Sequence, residues 1–141
     1  MGGTSWDKSA GCDFLGSDPR SVDDIIREDG LRLARLGLTT PSVGDRLTFL
    51  TESAREGMGK PVDLGPVTIE AVETMGWLAC PFRHSGFYPK AVIKLTFKET
   101  GETLTWSSLS AHLARDHGFF GGEGSPFRLE PEKLAALMPT D

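Results

Sequence analysis

The residues able to do chemistry concentrate in two short stretches. Cys80-Pro81-Phe82-Arg83-His84 sets a thiol and an imidazole four residues apart, and Leu109-Ser110-Ala111-His112-Leu113-Ala114-Arg115-Asp116-His117 adds two imidazoles and a carboxylate. All 3 histidines and one of the 2 cysteines lie in these stretches. Thiolate sulfur and imidazole nitrogen are donors that zinc gathers into a tetrahedron, commonly with one pair from a turn beside a strand and one pair from a helix. Cys80, His84, His112 and His117 are therefore the expected metal ligands. Asp116, one helical turn beyond His112, is an alternative ligand or the group that fixes the imidazole tautomer. The same residues suit catalysis, either with Cys80 as a nucleophile activated by His84 or His112 and Asp116 orienting the base, or as a metal-dependent hydrolase with three protein ligands and a water.

A purely structural reading competes with both. His117-Gly118 has the form of an ordinary helix C-terminus, where a cationic imidazole favours the negative end of the dipole. His112 beside Leu109 and Leu113 fits a core histidine, and Cys80 after Trp77-Leu78-Ala79 fits a small buried hydrophobe. Residues five apart on a helix also point about 140° apart, so joint ligation by His112 and His117 calls for a last turn that tightens or unwinds. Gly118 permits that.

The elements that must position these groups follow from periodicity. Ser21-Val22-Asp23-Asp24 reads as a helix start, with Val22, Ile25, Ile26, Leu33 and Leu36 on one face and Gly37 as the stop. Thr40-Pro41 reads as a cap and first helical residue for a second helix to Gly57, carried by Val43, Leu47, Leu50 and Ala54; a strand over Arg46 to Glu52 is the competing reading. From Val67 the period becomes two and runs to Ala79 with a bend at Gly76, a long strand. Pro81, Ser85-Gly86 and Pro89 predict a loop. Ile93, Leu95 and Phe97 then alternate, Gly101 turns the chain in a left-handed conformation, and Leu104 and Trp106 return as the second arm of a β-hairpin. Ser107 or Ser108 caps a helix from about Leu109 to His117, and Leu129 and Leu134 staple a last helix at Pro131. The expected fold is α+β, a small antiparallel sheet of one long strand plus a hairpin packed against four helices.

Residues 1–18 mix Gly, Ser, Asp and isolated aromatics without a period, which predicts a mobile polar leader ahead of one α+β domain over 19–141. A chain of 141 residues is long enough for one self-sufficient core. A net charge of -5 opposes a nucleic-acid partner, which wants a basic face. No apolar run approaches a membrane span and no apolar signal core opens the chain, so the expected location is the cytoplasm. Cys12 and Cys80 lie far apart and predict no disulfide framework. The loop Gly121-Gly122-Glu123-Gly124-Ser125-Pro126 offers backbone amides for an anion with Arg128 as counter-charge, against the plainer alternative of a tight structural loop. Phe119, Phe120 and Phe127 flank it. Exposed, they would dock a protein partner or a second copy; buried, they close the core.

Two resemblances attach to these residues. Leu109, His112 and His117 resemble the L-x2-H-x3-5-H helical half of a C2H2 zinc finger, which implies zinc as the cofactor and the two histidines as ligands. The other half departs from that pattern, with Cys80 and His84 where the family has two cysteines and a segment much longer than the family's roughly 12 residues before the helix. The run His117-Gly118-Phe119-Phe120-Gly121 through Gly124-Ser125-Pro126-Phe127-Arg128-Leu129 resembles the C-terminal segment of a group of small bacterial proteins to which no activity is attached. Together these readings give a small bacterial binding or accessory protein with a structural zinc site, and a metal-dependent or Cys-His hydrolase as the alternative.

Overall fold

The computed structural model describes Trp6, residues 14–83 and residues 86–138. His84 and Cys12 lie outside the described residues, so the expectation for His84 does too. Helix α1 (Val22–Arg35) starts where Ser21 accepts the Asp24 N–H, carries Asp23 and Asp24 in its first turn and Arg32 and Arg35 in its last, and buries Ile25 and Leu33. Leu36 is not on the buried face as its spacing predicts. It is the C-cap, 39% exposed, because the chain has already begun to turn there.

Helix α2 (Thr40–Glu56) settles the helix-or-strand alternative for residues 41–56 in favour of helix, with Val43, Leu47, Leu50 and Ala54 buried. Its cap is Thr39 rather than Thr40: the Thr39 hydroxyl accepts the Ser42 N–H, and Thr40 is already helical. Two adjacent threonines can both cap, and the one with extended backbone does so.

Strands β1 (Val62–Asp63), β2 (Val67–Ala79), β3 (Phe87–Phe97) and β4 (Thr103–Ser107) form one antiparallel sheet in that order. The hairpin turns at Gly101 with φ 77°, and β2 shifts register against β3 between Glu73 and Trp77, where Gly76 has φ 115°. Two features depart from expectation. β1 is too short to show alternation in sequence, and β3 begins at Phe87, so Tyr88, Pro89 and Lys90 belong to a strand rather than a loop. Pro89 is tolerated because β4 pairs with β3 only from Val92 onward, so no ladder donor is missed; the Pro89 carbonyl instead accepts the Ser108 hydroxyl.

Helix α3 (Ser108–His117) follows β4 without a loop, and α4 (Pro131–Ala135) ends the described fold. Two apolar clusters result. In the larger, Ile69, Ile93, Leu95 and Trp106 of the sheet meet Leu47, Leu50 and Ala54 of α2 and the stapling pair Leu129 and Leu134. The Trp106 indole N–H donates to Thr51 Oγ1 at 2.9 Å inside it. In the smaller, Phe14, Ile25, Cys80, Phe82, Leu109, Leu113 and Phe119 pack together, and the candidate ligands sit there.

The glycine-rich loop is a receptor for the chain's own residues 14–18. Gly122 N–H donates to Phe14 O at 2.8 Å, Ser17 N–H to Glu123 O at 3.0 Å, and Glu123 N–H to the Asp18 carboxylate at 3.0 Å. A Cβ on Gly122 would lie 2.1 Å from Leu15 O, which is why the position demands glycine. Arg128 does not face an anion site. It forms a buried pair with Asp29, backed by Glu130, and Arg32 joins Glu130 and Glu132 beside it. Phe119 and Phe120 are buried and Phe127 is half-buried, so this trio closes the core instead of offering a docking face. The exposed large apolar side chains of the sheet are Val72, Met75, Trp77, Phe87 and Val92. Among the described residues no helix is long and apolar enough to cross a membrane.

Candidate metal centre

Helix α3 owes its position to both ends and to one close crossing. Ser107 and Ser110 form a reciprocal capping box at its start, and Gly118 closes it with φ 66°, its N–H on Ala114 O and the Phe119 N–H on Leu113 O. A Cβ on Gly44 of α2 would lie 2.3 Å from the Arg115 Cβ, so glycine there lets the two helices approach. This fixes the α3 face that carries His112, Asp116 and His117. From the opposite side β2 ends at Ala79 and delivers Cys80, held in a turn by the Arg83 N–H on the Cys80 carbonyl at 3.0 Å.

Cys80, His112 and His117 converge, each with a ligand atom within 4.8 Å of the others. Cys80 Sγ and His117 Nε2 are 3.5 Å apart. Metal–sulfur and metal–nitrogen bonds of about 2.3 and 2.0–2.1 Å at a tetrahedral angle span an edge of about 3.5 Å, so this pair already has the separation zinc requires. The other edges, each within 4.8 Å, close by no more than about 1.5 Å of side-chain adjustment to reach tetrahedral values. Helix α3 stays regular through His117, and the angular offset of residues five apart is absorbed by the side chains, whose ring centroids lie 5.0 Å apart. No unwinding is needed.

Asp116 is not at the ligand position. Its carboxylate lies 2.7 Å from His112 Nδ1, which occupies that nitrogen and leaves Nε2 as the one a metal would take. Phe82 stacks on His117 at 4.2 Å between centroids and Tyr88 stacks on His112 at 4.8 Å. These rings fix both imidazole planes. Burial, and after it the nearby Cys80 and Asp116, push the Tyr88 phenol above its ordinary value.

No family model, curated protein or solved structure matches this chain. The functional reading therefore rests on the site itself. Of the expected ligands, three are brought together, Cys80, His112 and His117, while His84 lies outside the described residues. The stacking residues were not singled out in the sequence. Phe82 sits inside the Cys80 stretch but has no donor atom, and Tyr88 lies in a segment whose prolines and glycine mask a strand.

Cys80 is 3% exposed and His112 8%, while His117 is half-buried, so the centre is walled by side chains around Cys80 and His112 and partly open at His117. A cleft of about 280 Å³ adjoins the His112–Asp116 pair, bordered by Tyr88, Ser108, Arg115 and Arg55. Three donors in apolar walls hold a soft or borderline cation well, and a fourth position left to water makes the ion a Lewis acid. As a thiol–imidazole couple without metal the arrangement is less apt. Asp116 orients His112, while the sulfur lies beside His117, so base and orienting carboxylate are split between two imidazoles.

Proposed function

We propose that this chain is a metal-binding accessory module in which Cys80 Sγ, His112 Nε2 and His117 Nε2 hold a zinc ion that joins the end of β2 to helix α3. The observation that carries the reading is the convergence of one thiol and two imidazoles, from elements distant in sequence, with the sulfur–nitrogen edge already at 3.5 Å. Burial supports a structural role, because an ion in such a place stabilises the folded chain and not the unfolded one. The bacterial resemblance of the C-terminal segment fits a small accessory protein and adds no activity.

Metal-dependent hydrolysis is the second reading, favoured by the three-donor set and by the cleft beside His112 and Asp116. Elemental analysis of freshly purified chain, never exposed to chelator, separates the possibilities when run beside Cys80→Ala and His112→Ala. The structural reading expects about one zinc per chain and, in both variants, metal loss with a lowered unfolding midpoint. Metal loss with the unfolding midpoint unchanged transfers support to the hydrolase, and absence of metal in the parent chain overturns both.

A further inference from the structure

The centre contains one thiol and two neutral donors, so a divalent ion bound to the Cys80 thiolate leaves one uncompensated positive charge in apolar surroundings. A buried net charge is costly, and the structure places a carboxylate where it cancels that charge. Asp116 is the i+4 neighbour of His112 on α3 and contacts its Nδ1 at 2.7 Å. The side chain of His112 is 6% exposed and that of Asp116 46%, so the carboxylate keeps much of its hydration while its charge acts on a buried imidazole.

We infer that Asp116 is the positioning carboxylate of this centre and sets its preference for a divalent over a monovalent cation. The inference rests on the metal reading above. Two physical effects combine. Accepting the Nδ1–H of His112 fixes the tautomer that presents Nε2 and raises its donor strength. The second negative charge, after the Cys80 thiolate, makes the total zero with a divalent ion and negative with a monovalent one. Copper(I), an ion suited to the same thiolate and imidazole donors, is already neutralised by the thiolate alone and gains less from Asp116.

The test is titration of the metal-free chain with cobalt(II), zinc(II) by competition, and copper(I) under anaerobic reduction, for the parent, Asp116→Asn and Asp116→Glu. Asp116→Asn is expected to lose about 10–100-fold in affinity for zinc and cobalt, the usual range for an outer carboxylate. Copper(I) affinity should change by much less, so the zinc-to-copper ratio falls. Asp116→Glu should recover part of the zinc affinity. A merely structural Asp116 would weaken all three ions alike and would shift the unfolding midpoint of the metal-free chain by the same amount as the metal-bound one. Equal losses for all ions, or an Asp116→Asn chain that binds like the parent, overturn the inference while leaving the metal reading intact. A parent chain that takes up none of the three ions defeats the metal reading itself.

Discussion

Two buried polar clusters in this small fold solve the same electrostatic problem differently. At one, fully buried Asp29 on α1 meets the Arg128 guanidinium, with Glu130 and Arg32 completing a network of alternating charge. At the other, Cys80, His112 and His117 gather lone-pair donors, with Asp116 outside them. The first brings its own cation on a side chain. The second has donors that could hold one taken from solution. The contrast separates a polar cluster closed by its own side chains from one whose donors could hold an ion.

The largest effect expected is at the first cluster. Arg128→Ala takes the closer partner from the buried Asp29 carboxylate, leaving it Arg32 at 3.3 Å, and should cost about 3 kcal/mol in urea unfolding, whatever metal is supplied. A loss near 1 kcal/mol would mean that the pair is worth no more than a surface one. Chelation should act at the second cluster alone. Free metal at a hundredfold excess over its Kd stabilises by about 2.7 kcal/mol, so stripping it should lower the midpoint of the parent chain and leave a Cys80→Ser chain where it was. Equal shifts in both would place the chelator's action elsewhere.

Acid gives the smallest and most selective effect. The Arg128 hydrogen bond, with help from Arg32 and against the cost of burial, lowers the Glu130 carboxyl from 4.5 to about 2. Because the folded value is the lower one, the stabilisation is present above pH 4.5 and disappears as the pH falls toward 2. Glu130→Gln should flatten the acid limb of a stability profile in that window. A limb unchanged by the substitution would assign the acid lability to other carboxylates.

How much of this was legible in the sequence depended on whether a local rule governed the residue. The hairpin at Gly101, the Ser107 cap and the Leu129–Leu134 staple are set by neighbours within a few positions, and each stands where periodicity and turn chemistry predict. Tyr88 and Pro89 did not, because a proline three residues after Gly86 looks like a loop unless one knows that β4 stops short of it. The glycine-rich loop was ambiguous for the same reason: its glycines answer to residues 14–18, more than a hundred positions earlier. At the candidate metal centre the residue types were readable and their partnership only partly so. Donor chemistry selected Cys80, His112 and His117, but only the folded helix shows Asp116 on Nδ1 rather than among the ligands.

The central claim is tested most directly by X-ray absorption at the zinc edge on the chain as purified. One sulfur near 2.3 Å and two imidazole nitrogens at about 2.0–2.1 Å in the first shell, with the sulfur lost in Cys80→Ser, are the predicted result. A first shell of oxygen alone, or a sulfur signal that survives Cys80→Ser, would contradict it.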